Sequence, residues 1–304
     1  MGAYLFVHFS GRERTADEEQ IYFSVSTDGK TWKTLNDKKP ILTSDLGEKG
    51  VRDPFILRGE DGKFFIIATD LSIYHRKDDP DCWINCQRSG SRSMVVWESD
   101  DLANWSEARL TEIAAKDAGC AWAPESIYDS EKGMYMVYWA SQAAFDNYAK
   151  ERVYRAYTKD FKTFTEHEIY IDNKESAIDT CIIKHNGVYY RFTKDETHKA
   201  VTMMKSASLS TGWEDVDTYT VNGEVGKDVF GFEGPTIFKY HGENKWCLML
   251  DNYAKQEGYK PFVTDDITRG EFVSPPAMEF DMIYRHGTVM PITDEEYKRL
   301  IKKY

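Results

Sequence analysis

The sequence predicts an all-β chain folded as a five-bladed β-propeller, with N- and C-terminal strands closing the fifth blade. Three observations carry this expectation. A strand that begins beside an acid or proline and turns into a second apolar strand recurs four times. It reads Val51 to Leu57 with Phe64 to Thr69, Pro124 to Tyr128 with Met134 to Trp139, Asp179 to Ile183 with Val188 to Phe192, and Glu233 to Phe238 with Trp246 to Leu250. Each pair is joined through a Gly-containing turn, the pattern of a β-hairpin. A Ser/Thr-x-Asp turn that closes on an aromatic recurs five times, ending at Trp32, Trp105, Phe164, Trp213 and Phe272, with the fourth copy looser in form. The copies stand about 50–70 residues apart, too irregular for a solenoid and suited to four-stranded blades with loops of varied length. The third observation is at the ends: Arg285 to Met290 supplies a first strand with no partners after it.

In chain order, Tyr4 to Phe9 and Ile21 to Val25 read as strands that lack a blade of their own. Pairing Thr288 to Ile292 with Tyr4 to Phe9 completes the fifth blade and removes an open sheet edge. Ser72 to Ser93 is the least strand-like stretch, and a connection of that length is expected to be functional and to overhang the ring axis. Thr293 to Glu296 carries the acidic first turn of a helix, and Tyr297 to Tyr304 reads as a short helical tail. A two-sheet sandwich with coincidentally similar turns is the plain alternative. Trp32, Trp105 and Trp213 recur with the turn and are expected in the core, and the Asn104-Trp105-Ser106 sequon falls inside such a turn and is read as chance.

The composition narrows the function. Hydrophobic residues make up 41% and aromatics 14% of the 304 residues, and no run approaches the roughly 20 apolar residues of a bilayer helix. A formal net charge of −12 with no basic cluster disfavours nucleic acid and leaves a neutral ligand as the easier partner. The five cysteines are scattered without zinc-site spacing, and Cys181 and Cys247 lie in apolar strands as core thiols do. Residues 1–8 have no basic region and no apolar segment of signal-peptide length, so the expected location is cytoplasmic, or secreted or periplasmic if a leader has been removed.

First strands of propeller blades line the axis, so the acids at their starts converge although they are far apart in sequence. Asp53, Asp179 and Glu233 fall at or within one residue of a common register, and Glu125 follows one position later in the second copy. Carboxyls around one polar cavity are what glycoside hydrolysis needs: one protonated to assist the leaving oxygen, another ionised to activate water or attack carbon. Plainer readings stand beside these. Asp53 before proline could cap a turn, Asp179 could pair with Arg191 or Lys194, and Gly234-Pro235 could merely shape a turn after Glu233. The apolar neighbours of Glu233 would raise its pKa, which suits an acid. Trp122 and Trp139 could present flat faces to sugar or fill the space between blades, and His75 reads as a loop residue without a catalytic part.

The ordered set Arg52-Asp53-Pro54, Trp122-Ala123-Pro124-Glu125, Ile178-Asp179, Glu233-Gly234-Pro235 and Arg285-His286-Gly287 resembles glycoside hydrolase family 43, and the likeness covers nearly the whole chain. The resemblance implies an inverting mechanism with Asp53 as general base, Glu233 as general acid and Asp179 as the residue that tunes and orients that acid. It also implies that Arg285 reaches the sugar and that His286 stands at the axis, where the family holds a calcium ion or ordered water. No cofactor is then required, and a cation there would be structural. The second copy reads Trp-Ala-Pro-Glu where Trp-Ala-Pro-Asp is usual, which leaves the role of Glu125 open. The implied substrates are arabinose- or xylose-containing glycans of plant cell walls, with exo-acting α-L-arabinofuranosidase the first expectation and β-xylosidase, arabinanase or galactanase the others. A retaining fructosidase shares Arg-Asp-Pro, but its earlier Asn-Asp-Pro strand is absent here. A glycan-binding propeller without catalysis is the non-enzymatic alternative.

Overall fold

The computed structural model describes residues 2–304, and their regular structure is nearly all strand. Four antiparallel sheets follow one another along the chain. The first holds Val51–Arg58, Phe64–Asp70, Ser93–Ser99 and Arg109–Glu112. The second holds Trp122–Asp129, Met134–Ser141, Arg152–Thr158 and Glu168–Ile171. Ala177–His185, Val188–Asp195, Ala200–Ser206 and Glu214–Asp215 make the third. Glu233–Lys239, Trp246–Asp251 and Tyr259–Thr264 make the fourth. In the fifth sheet the two ends meet, because Ala3–Ser10 pairs with Tyr284–Ile292 on one side and Tyr22–Ser26 on the other. The register sets Leu5 opposite Met290 and Val7 opposite Thr288, as the unpaired terminal strands require.

Each sheet is apolar on both faces, which is why Ala3–Ser10 is buried along its whole length instead of alternating. Leu5 and Val7 pack with Ile66, Val95 and Trp97 of the first sheet, while Tyr4 and Phe6 face Phe238 and Met249 of the fourth. Similar layers lie between first and second sheets, second and third, and third and fourth. Trp32 is fully buried and Trp105 and Trp213 partly so, each against one of these layers. The recurrent turns hold as read: Asp28, Asp101, Asp160 and Asp266 each accept hydrogen bonds from backbone N–H groups just beyond them.

Ser72 to Ser93 is more ordered than a bare loop, with an α-helix at Cys82–Ser89. The C-terminal helix, Asp294–Lys303, starts on a capping box in which Thr293 and Glu296 satisfy each other's backbone N–H. Glu296 also takes a two-point hydrogen bond from Arg58 of the first sheet. No helix of the described residues is long and apolar enough to cross a membrane.

Candidate active site

The site is built from one local irregularity repeated in four sheets. The first strands bulge between Arg52 and Phe55, Trp122 and Glu125, Ile178 and Thr180, and Glu233 and Thr236. At each bulge one residue has left-handed backbone: Asp53 at φ 50°, Ala123 at 45°, Asp179 at 48° and Gly234 at 54°. Left-handed geometry in a non-glycine residue costs energy and clusters where function holds it. A bulge re-aims a side chain out of the pleat, and here it turns Asp53 and Asp179 onto a common histidine.

This register keeps Glu233 within one residue of Asp53 and Asp179, as read from sequence, and corrects the place of Glu125. Asp53, Ala123, Asp179 and Gly234 are the equivalent positions, so Glu233 stands one residue before them. Glu125 stands two after Ala123, in the place of Phe55, Cys181 and Thr236.

His286, on the edge strand Tyr284–Ile292 of the fifth sheet, sets its Nδ1 3.2 Å from Asp53 Oδ1 and 3.9 Å from Asp179 Oδ2. Burial opposes its charge, but the carboxylates of Asp179 and Asp53 prevail and push its pKa up to about 10, so it is an imidazolium. Burial would raise the Asp53 carboxyl, yet bonds from His286 and Thr69, with the nearby Arg52 charge, hold it below the usual range. Asp179 goes the other way: burial, with the charges of Glu233 and Asp53, lifts it to about 7. Its Oδ2 accepts a hydrogen bond from the Gly234 N–H.

Glu233 is not in the apolar setting its sequence neighbours suggest. Its Oε2 lies 2.8 Å from Lys194 Nζ and its Oε1 3.7 Å from Arg285. Although burial would raise its pKa, these cations hold it low. Lys194 makes its close ion pairs with Glu233 and Glu196 and acts on Asp179 only through its charge at longer range, and Arg191 turns aside to stack on Trp213. Arg285 lies beside Glu233, and its Nε donates to the buried Asp251 at 2.7 Å. Arg52 bonds to Glu13 and Glu19 of the N-terminal segment.

Glu125 lies deeper. It is buried, accepts a bond from the Tyr138 hydroxyl, and burial pushes its pKa up to about 8. Trp122 is half-buried, with Trp83 of the Cys82–Ser89 helix packed edge-on against it and close to Arg52. The long segment thus brings Trp83 beside Trp122 and Arg52. Trp139 does not belong to the site: it is 1% exposed in the layer between first and second sheets, because its alternation on the strand points it sideways.

A cation ligated by the His286 ring does not fit these residues. The ring offers nitrogen and its Nδ1 is taken up facing two carboxylates, whereas calcium takes six to eight oxygen ligands. No group of three or more His, Cys, Asp or Glu suited to a metal occurs among the described residues.

Sequence reasoning missed Thr69, Lys194 as a Glu233 partner, and Asp251. All three face the start of a bulge from the neighbouring strand: Arg52 opposite Thr69, Ile178 opposite Lys194, Glu233 opposite Asp251. Each is a polar residue at or next to the end of its second strand, but only Thr69 and Asp251 end an apolar run; Lys194 follows Arg191 and Thr193 and does not stand out.

Residues 1–298 match the glycosyl hydrolase 43-related family, described as a probable glycosyl hydrolase domain. An α-L-arabinofuranosidase of Bifidobacterium longum subsp. longum is 28% identical over 312 residues, covering 86% of this chain; the chain spans 28% of that relative's length. Among solved structures, an endo-1,4-β-xylanase from Bacteroides thetaiotaomicron is similar at a TM-score of 0.60 and 16% identity, over 94% of this chain and 93% of that one. The catalytic domain of a family 62 α-L-arabinofuranosidase from Coprinopsis cinerea is similar at 0.52 and 12% identity, over 81% and 74%. At such identities the likeness to solved structures is one of fold. The chain belongs to the glycosyl hydrolase 43-related family.

Proposed function

We propose that this protein is an inverting glycoside hydrolase that releases α-L-arabinofuranosyl units from plant cell-wall glycans, its five sheets forming the blades of one closed propeller. The five apolar layers, the last between fifth and first sheets, support the ring. The named activity of the Bifidobacterium longum relative supports arabinose over xylose. The observation that carries the reading is the divergence of two carboxyls on one imidazolium: Asp53 held ionised, Asp179 lifted to about 7. Carboxyls pushed apart by their surroundings are how one site provides an acid and a base at the same pH.

In this reading Asp53 accepts a proton from the water that attacks the anomeric carbon, and the departing glycosidic oxygen takes a proton from Glu233. Before substrate binds, the proton of the Asp179 and Glu233 pair rests on Asp179, because Lys194 and Arg285 stabilise Glu233 as an anion. The Glu233 side chain is 19% exposed and that of Asp179 is 9%, so a substrate oxygen meets Glu233 first. The two acids then act as a coupled pair, with Asp179 orienting and supplying the acid.

The test is hydrolysis of aryl α-L-arabinofuranoside, β-D-xyloside and β-D-galactoside by the natural chain and by Asp53→Asn, with product anomers read by NMR. Release of arabinose with inverted configuration, lost in the variant, is expected. Retained configuration would overturn the mechanism, and xylose or galactose as the sole product would overturn the substrate. The engagement of Glu233 by two cations also suits a glycan-binding site without catalysis; binding with no cleavage of any glycan would favour that reading.

A further inference from the structure

Between its third and fourth sheets the chain inserts a short ribbon, Thr220–Val221 paired with Glu224–Val225. Asn222 and Gly223 make its turn, both at positive φ, as a two-residue hairpin demands. The ribbon is fastened to the body. Thr220 pairs with Glu271, and Gly226 lies so close to the Tyr219 ring that a Cβ there would come within 2.0 Å of it.

This ribbon walls a cavity of about 760 Å³, within the roughly 300–1,000 Å³ of ligand pockets. Lys227, Asp217 and Asp228 provide donors and acceptors of both signs along it, while Tyr219 and Val225 provide apolar surface. Acids outnumber bases in the lining, which disfavours an anionic ligand. Val225 leaves part of this wall uncovered by the protein itself, at 46% exposed.

The cavity also touches the active site. Lys194 lines it and at the same time holds Glu233. We propose that this cavity is the subsite for the leaving-group portion of the substrate, a neutral oligosaccharide chain whose hydroxyls meet Lys227 and Asp228 and whose C–H faces lie on Val225. The inference rests on the hydrolase reading, in which the acid protonates the leaving oxygen and so marks the side on which the departing chain lies.

The ribbon residues Lys227, Asp228 and Val225 are exposed, so Lys227→Ala with Asp228→Ala, and separately Val225→Trp to fill the space, are compatible with folding; unfolding curves would check this. The readout is kcat/KM on arabinotriose and xylotriose divided by kcat/KM on the aryl glycoside of the same terminal sugar. Both variants are expected to lower that ratio about tenfold, mainly through KM. A ratio equal to that of the natural chain would overturn the proposal. Calorimetric binding of the two trisaccharides to the natural chain and to Glu233→Gln separates this inference from the reading beneath it. Trisaccharide binding that the ribbon variants weaken about tenfold, with no cleavage by the natural chain, would support the cavity and sink the hydrolase. Binding indifferent to the ribbon variants, or no binding of either trisaccharide, would overturn the cavity.

Discussion

His286 and Asp53 meet at 3.2 Å, imidazolium to carboxylate, across the junction between the fifth sheet and the first. Each holds the other charged. A histidine whose folded pKa is raised from 6.5 to about 10 contributes stability that is fully present below pH 6.5 and is lost as pH rises through 10. Asp53→Asn removes one of the three carboxylates responsible, the others being Asp179 and Glu125. The imidazole titration of His286, followed by NMR, is expected to move down, and the loss of stability between pH 6.5 and 10 to become shallower. A titration at the same pH as in the natural chain would refute the coupling.

Glu125 carries the opposite sign for an acid. Its folded pKa lies well above its ordinary value of 4.5, at about 8, so its contribution to stability is complete below pH 4.5 and lost as pH rises through 8. Glu125→Gln keeps an acceptor for the Tyr138 hydroxyl without a group to ionise. Urea denaturation at pH 6 and pH 9 should show a smaller drop between the two for the variant than for the natural chain.

Lys194 stands 2.8 Å from Glu233 and 2.6 Å from Glu196, its side chain 3% exposed. Lys194→Met would leave both acids without this cation, and breaking a buried pair costs about 3–5 kcal/mol. Burial is the largest influence on Glu233 and would then be opposed only by Arg285 and His286. Its pKa should rise, and the acid-dependent limb of the pH–rate profile should shift to higher pH. Lys194→Arg should restore the profile more fully than it restores stability; a profile unmoved in Lys194→Met would remove Lys194 from the chemistry.

Gly234 combines φ 54° with a close approach, since a Cβ there would lie 2.6 Å from the His286 ring. Gly234→Ala incurs backbone strain of about 1–3 kcal/mol and pushes the ring from the carboxylates. A lower Tm together with a His286 titration closer to 6.5 is expected. A lower Tm with the titration unmoved would mean that the strain is absorbed elsewhere.

Much of this was legible in the residues themselves. Hairpins and the repeated Asp turns follow from local patterns, because a strand's period and a turn's backbone demands are written in a few neighbouring residues, and the unpartnered strands at the two ends pointed to their pairing, though not to its register. The acids Asp53, Asp179 and Glu233 stood out for the same reason, each beside a break in an apolar run. What sequence could not assign was their charge. Glu233 has apolar neighbours along the chain and two cations across space, while Asp179 has Lys194 in its own sheet yet faces His286 from another. Trp139, aromatic and beside the site in sequence, is turned into the core by its place on the strand. A pKa depends on burial and on charges within a few ångströms, and those distances are set by the packing of strands about 40 to 230 residues apart, so only the tertiary structure decided in which direction each carboxyl is shifted.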